Sequence, residues 1–324
     1  MTSGHIIAQA LYVVAELGIP DLLATGPLGS VELAETVGAH APSLSRLLRT
    51  LASLGVFQEQ EDHRFRLTPL GATLRSDVQG SIRSWARVNC GISWQPYGEM
   101  LYSVRTGQPG FDRAHGMSVF EYTARHPDAL AAFSQMMIDL HAREVAAVAS
   151  AYNLSDVSLV VDVGGGSGNL LAALLEANPS LRGTVFERPI VAEGAIQWLH
   201  SAGLSHRSDV LEGDFFESVP SGGDVYVLSH VIHDWDEAHC LRVLGNCRRA
   251  MRQDSRLLIV EMVLPGANEP SPARLMDLIM LVNAPRGQER TLDEYGDLLA
   301  RAGFRLTRVV RTASPVSVIE AIPS

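Results

Sequence analysis

With 324 residues, 46% of them hydrophobic and 19% charged, the chain is long enough for two domains with cores of their own. Its formal net charge of -10 argues against a duplex-binding surface, which needs a concentrated basic footprint, and all 26 of its Lys and Arg residues are Arg. Cys90, Cys240 and Cys247 form no CxxC pair, which argues against a disulfide framework or a structural zinc site and suits a reducing compartment. No apolar run reaches the ~18 residues of a membrane span, and no basic stretch precedes an apolar core at the N-terminus, so a cytoplasmic protein with no membrane partner is expected.

From the N-terminus, Ile7, Leu11, Val14, Leu17 and Ile19 recur near helical spacing until Gly18-Ile-Pro20, where the missing donor and fixed φ of Pro20 should stop a helix. Residues Ser30 to Val37 and Ser43 to Leu54 are each opened by a Ser ahead of periodic apolar positions and closed by Gly38 and Gly55. Val56 to Gln60 and Arg64 to Thr68 alternate around a polar turn as a hairpin does. Three helices and a hairpin predict a winged-helix lobe over residues 1–80. Its second Ser-opened helix offers only Arg46 and Arg49 as exposed basic groups, too few for a DNA-reading helix, so packing and dimerisation are the expected role and nucleic acid is not an expected partner. A largely helical connector over 81–151 follows, broken near Gly107 to Gly110 and at His126-Pro127. Within it Phe120, Phe133, Met136, Met137 and His141 could line a pocket or pack as core, and spacing does not choose.

From Leu159 the pattern changes. Strands at Leu159 to Val163, Gly183 to Glu187, Asp209 to Glu212, Asp224 to Leu228 and Arg256 to Met262 alternate with helices, and Arg305 to Arg311 and Val316 to Ala321 end the chain. Such alternation predicts a parallel, doubly wound sheet over 152–324. The first strand runs through Asp162-Val-Gly-Gly-Gly-Ser-Gly168 straight into a helix. Gly164, Gly166 and Gly168 can take positive φ and let backbone N–H groups approach a ligand at the helix N-terminus. A dinucleotide fingerprint would place its third glycine at Asn169, and Asp162 sits two residues before the first glycine. Both departures lean away from NAD and toward S-adenosylmethionine (SAM).

Later strand ends carry matching groups. Glu187 ends the second strand, where a carboxylate can accept hydrogen bonds from both ribose hydroxyls. Asp214-Phe215 follows the third strand and offers a carboxylate beside an aromatic face; alone, Asp214 could simply cap a turn. His233 emerges just past the fourth strand, within Leu228 to Glu237. An imidazole there can take the proton of a phenol, although a lone His at a strand end is more often structural. Trp235 could cover a cofactor or fill the core. Glu261, ending the fifth strand, and Glu289, ahead of a helix beginning near Leu292, could fix the tautomer of His233 and stabilise its cation.

Asp162 to Gly168, Gly213-Asp-Phe-Phe216, His233-Asp-Trp235, Glu261 with Leu264-Pro265, and Gly287-Gln-Glu-Arg-Thr291 together resemble the SAM-dependent small-molecule O-methyltransferases of the plant caffeate and chalcone type and their bacterial antibiotic-pathway, anthracycline-type relatives. The resemblance implies an α/β Rossmann-like methyltransferase domain behind an N-terminal all-helical, winged-helix dimerisation domain, a homodimer, SAM as cofactor, and no metal. It makes His233 the catalytic base flanked by Glu261 and Glu289. It assigns Gly164, Glu187, Asp214, Phe215 and Ser229 to the cofactor, and Asp162, Gly166 and Trp235 are further cofactor candidates from the motif itself. Candidates for the pocket of an aromatic or polyketide-like acceptor are Phe120, Phe133, Met137, His141, Asp234, Met280 and Asn283. Plant members often carry His-Asn-Pro where this chain has Asn283-Ala-Pro285, so the wall near Asn283 differs. Glu187 stands where many members have Asp. Rival readings are a magnesium-dependent catechol-type enzyme, a SAM-binding relative catalysing hydroxylation or decarboxylation, and a winged-helix DNA-binding protein.

Overall fold

In the computed structural model, residues 2–284 and 287–324 are described, apart from the side chain of Arg143; Pro285 lies outside the described residues. The chain packs as two compact units, one formed by Met1–Gln95 and Arg125–Ala142 and the other by Pro96–Ala124 and Arg143–Ser324. The helical segment 81–151 is divided between them.

The first unit begins with α1 (Gly4–Glu16), α2 (Ile19–Leu22), a strand pairing residue set β1 (Leu28–Gly29), α3 (Ser30–Val37), α4 (Ala41–Ser53) and the hairpin β2 (Phe57–Glu59) with β3 (Arg64–Leu67). The wing has three strands in the order β1-β3-β2, one more than the hairpin expected. Val14, Leu33, Leu48, Leu51, Phe57 and Phe65 are fully buried in one core, as the apolar periodicity of the helices demands. Two local expectations are corrected. Left-handed Gly18 (φ +67) separates α1 from α2, and Pro20 lies in the first turn of α2, where its missing N–H costs nothing. Neither Ser30 nor Ser43 caps its helix. Gly29 and His40 hold those positions, and Ser43 Oγ meets His40 Nδ1 at 2.9 Å.

Short helices α5 (Pro69–Ala72), α6 (Arg83–Arg87), α7 (Trp94–Gly98), α8 (Met100–Thr106), α9 (Gly110–His115) and α10 (Val119–Arg125) lead to the long α11 (Pro127–Ala151). The α/β part then runs β4 (Leu159–Val163), α12 (Asn169–Ala177), β5 (Arg182–Glu187), α13 (Pro189–Ser201), β6 (Ser208–Glu212), β7 (Val225–Ser229), α14 (Glu237–Ala250), β8 (Arg256–Leu264), α15 (Pro272–Asn283), β9 (Arg290–Thr291), α16 (Leu292–Arg301), β10 (Phe304–Arg311) and β11 (Val316–Pro323). The sheet order is β10-β11-β8-β7-β4-β5-β6, with β9 alongside β8.

Strands β6 to β8 in this order are parallel, but β11 runs antiparallel to both β8 and β10, so the sheet is mixed and not wholly parallel as expected. The reason is the link from Arg311 to Val316, a tight turn too short for the crossover that a parallel neighbour needs. Alternate residues of the central strands feed opposite layers. Val160, Val225, Val227, Leu258 and Val260 pack with α12 and α13, while Val161, Tyr226, Leu228, Leu257 and Ile259 pack with α14 and α16. Both faces are therefore covered, which is why the strands read as continuous apolar runs. The direction of winding reverses between β4 and β7. A ligand crevice is expected outside the carboxyl ends at that point, and the site lies there.

Among the described residues no single helix is long and apolar enough to cross a membrane, and all three cysteines are free.

Candidate active site

After β4 the chain turns through Gly164, Gly166 and Gly168 at φ +71°, +57° and +79° and enters α12. A Cβ on Gly164 would stand 3.0 Å from Val231 and 3.3 Å from the Phe215 ring, so backbone forms this wall. Asp162 lies beneath it, 1% exposed, and neither carboxylate oxygen has a hydrogen-bond partner among the described residues. Burial, reinforced by Glu187, pushes this carboxyl up to about 7. Glu187, at the end of β5, accepts from the Gly166 N–H at 3.1 Å and from the Arg188 N–H at 2.7 Å. Asp214 accepts from the Phe216 N–H at 2.7 Å, and Phe216 meets Trp235 edge-on at 4.7 Å. Phe120 stacks on Trp235 at 5.8 Å, with the Arg188 guanidinium 5.7 Å from the Phe120 ring.

Gly164, Glu187, Asp214, Phe215 and Trp235 thus face one cavity of about 190 Å³, together with Phe120, Arg188, Phe216, His230, Val231 and Asp234. Asp162, Gly166 and Ser229 lie close by in sequence without forming its wall. Carboxylates at strand ends, aromatic faces, and a buried carboxyl with two unpartnered oxygens under a glycine turn suit a nucleoside bearing a cationic tail, which is the chemistry of SAM.

Next to this cavity, β7 ends at Ser229 and the chain passes through left-handed His230 (φ +52) into a tight helical turn, Ile232–Asp234. The turn buries His233, whose Nδ1 lies 2.8 Å from Glu289 Oε1 and 3.5 Å from Glu261 Oε2, both side chains fully buried. Glu261 Oε1 also accepts the N–H groups of Ile232 at 3.0 Å and of His233 at 3.3 Å, so one carboxylate fixes both ring and backbone. Burial alone would oppose the imidazolium, but Glu261, then the bond to Glu289, outweigh it and raise His233 to about 10. Burial pushes the Glu261 carboxyl upward in turn, opposed by the two imidazoles beside it. With Nδ1 engaged, Nε2 is the nitrogen left to accept a proton, 3.6 Å from Asp234 Oδ1. His230, His233 and Glu261 also each offer a ligand atom within 4.8 Å of the others.

Residues 287–290 hold this turn from behind. Gln288 N–H donates to the His233 carbonyl at 2.8 Å, and Arg290 donates to the carbonyls of Ile232 and Trp235, both at 2.9 Å. The approach requires Gly287, because a Cβ there would fall 2.7 Å from the His233 carbonyl oxygen. Gly287→Ala is therefore expected to push the two segments apart, lowering turnover at least tenfold while the fold persists. Turnover and a circular-dichroism melt check this together, and unchanged turnover would refute it.

Among the acceptor-pocket candidates, Asp234 and Phe120 border the cavity. Met280 and Asn283 lie on α15, where the Asn283 amide donates to Tyr97 Oη at 3.4 Å and to the Ile279 carbonyl at 3.1 Å. Phe133, Met137 and His141 stand half-buried on α11 within the first unit. Sequence reasoning missed Arg188, His230 and Arg290. Arg188 and Arg290 directly follow Glu187 and Glu289, and that adjacency was the available signal; nothing local marked His230 as facing the cavity.

An O-methyltransferase domain model matches residues 97–305, and an O-methyltransferase dimerisation domain model matches residues 1–77. The chain belongs to the SAM-dependent O-methyltransferase family. The enzyme is 44% identical to a phenazine O-methyltransferase of Lysobacter antibioticus over 100% of its own length and 94% of that protein. It is 41% identical to the mitomycin biosynthesis 6-O-methyltransferase of Streptomyces lavendulae, covering 97% of this chain and 90% of the relative. Among solved structures it is similar to an O-methyltransferase from neocarzinostatin biosynthesis in complex with SAM and 2-hydroxy-5-methyl naphthoic acid, with TM-score 0.87, 36% identity, and 98% and 96% of the two chains covered. This methyltransferase thus carries a dimerisation domain and a catalytic domain whose cofactor is SAM.

Proposed function

We propose that this methyltransferase methylates a phenolic hydroxyl of an aromatic or polyketide-like small molecule of secondary metabolism, with His233 as proton acceptor and without a metal ion. The observation that carries this reading is the buried imidazole whose Nδ1 is held by Glu289 at 2.8 Å, leaving Nε2 for the acceptor hydroxyl. A phenol has a pKa near 10 and is a poor nucleophile until it loses its proton. His233, raised to about 10, is matched to that proton, and Glu261 and Glu289 stabilise the cation once it forms.

When bound, SAM supplies an electrophilic methyl group on a sulfonium centre. Glu187 would hold the ribose, Asp214 and the rings of Phe215 and Trp235 the adenine, and Gly164, Gly166 and Ser229 the backbone side of the cofactor. Asp162 would face its ammonium group. Phe120, Asp234, Met280 and Asn283 would shape the acceptor pocket. The dimerisation domain supports a homodimer, and three free cysteines suit a cytoplasmic setting.

Incubation with SAM and a panel of phenolic aromatics, read by mass spectrometry, should give an O-methylated product and S-adenosylhomocysteine, undiminished by EDTA. A hydroxylated or decarboxylated product, or EDTA-sensitive activity restored by magnesium, would overturn the reading.

A further inference from the structure

His230 borders the cavity, and its side chain approaches two buried carboxylates. Its backbone stands at φ +52, a conformation uncommon for a non-glycine residue. This geometry sends Nε2 to Glu144 Oε2 of α11 at 2.9 Å, and leaves Nδ1 4.0 Å from Glu261 Oε2. That oxygen also stands 3.5 Å from His233 Nδ1, and the two imidazoles lie 5.2 Å apart, centre to centre. Glu144, His230, Glu261, His233 and Glu289 therefore form one buried chain of alternating carboxylate and imidazole, running from α11 to the loop before α16.

We propose that His230, anchored on Glu144, is a positioning residue of the proton-accepting site: it shares Glu261 with His233 and so decides how firmly His233 holds its proton. This rests on the reading of His233 as proton acceptor. Among the described residues of the second unit, the ionisable groups that face His230 include Glu144 from α11, Glu261 from β8, and His233 and Asp234 from the turn after β7; His233 faces Glu289 in addition. One Glu261 oxygen cannot serve both rings fully. With His230 in place, that oxygen stands 4.0 Å from one ring and 3.5 Å from the other, and only removal of His230 frees it to turn fully toward His233. Without it, Glu261 belongs to His233 alone, the imidazolium is held more tightly, and less neutral imidazole is available to a substrate hydroxyl.

The test is His230→Asn, because Asn tolerates the left-handed backbone, with Glu144→Gln as a second variant that leaves His230 in place but loosens its anchor. In the cofactor-free protein, NMR of nitrogen-15-labelled histidine should show His233 titrating at higher pH in both variants than in the parent. The kcat/KM at neutral pH should fall about tenfold in His230→Asn, the equivalent of one pH unit, and by less in Glu144→Gln. Little further loss is expected when the two are combined, because both act through the same ring. An unchanged His233 titration in either folded variant would overturn the proposal, whatever happens to activity. Failure of the reading on which it rests would look different: a His233 substitution would leave turnover intact while the titration coupling between the two imidazoles remained.

Discussion

His233→Gln is expected to lower kcat by about 10²- to 10⁴-fold, the usual contribution of a positioned general base. SAM affinity should hardly change, since His233 lies outside the ring of residues that bound the cavity. The pH dependence gives a second, independent sign. In the free protein only the neutral imidazole can accept a proton, and Glu261 with Glu289 raises its value from 6.5 to about 10 against the cost of burial. The kcat/KM of the parent should therefore climb with pH through the neutral range toward about 10, whereas that of the variant should be low and flat. Stability follows the same linkage. A raised imidazole value means that the stabilisation is complete below about 6.5 and is lost as pH rises through about 10. The variant should therefore melt lower than the parent near neutral pH, and the gap should close on the alkaline side. A variant that turns over as fast as the parent with the same pH slope would remove His233 as the proton acceptor.

Arg290→Met is expected to destabilise the enzyme by about 2–4 kcal/mol and to lower turnover more than tenfold without touching the reacting groups. Arg290 is only 3% exposed, and its two donors at 2.9 Å serve the carbonyls at either end of the turn that presents His233. A hydrogen bond from a charged donor contributes about 1.5–3 kcal/mol. Two are lost, offset in part because the Cys240 thiol also reaches both carbonyls at 3.3 Å. At about 2.1 cal/mol/K per residue, a chain of 324 residues loses about 1.5 °C of melting temperature per kcal/mol, so a drop of about 3–6 °C is expected. Arg290→Lys should recover only part of it, because one ammonium cannot reproduce the guanidinium fork. A variant with the parent's melting temperature and turnover would show that the turn holds itself.

Legibility varied with the range of the interaction. Asp162, Gly164, Glu187, Asp214, His233, Glu261 and Glu289 could be read because each sits at a strand end or turn that local pattern marks, and strand ends in an alternating α/β chain converge by topology. The strands themselves were legible because burial on both faces leaves unbroken apolar runs. Arg290, in contrast, is marked locally only by following Glu289, and its burial depends on carbonyls contributed 55 and 58 positions away. His230 reads as an ordinary residue after a strand, yet its backbone is turned into the left-handed region and its ring bonds a carboxylate 86 positions earlier. The false helix caps at Ser30 and Ser43 came from a rule that names residue types, whereas a cap is decided by where the backbone leaves helical geometry.

By itself the sequence determined the order of elements, the glycine turn, the acid-bearing strand ends and the His233, Glu261 and Glu289 set, because periodicity and backbone permissiveness are local properties of the chain. The tertiary structure alone decided the reversal of β11, the fully buried state of both glutamates and the linkage of His233 through Glu261 to His230 and Glu144. The physical reason is that burial and proton affinity are set by which groups are brought within a few ångströms of one another, and that distance is not a function of separation along the chain.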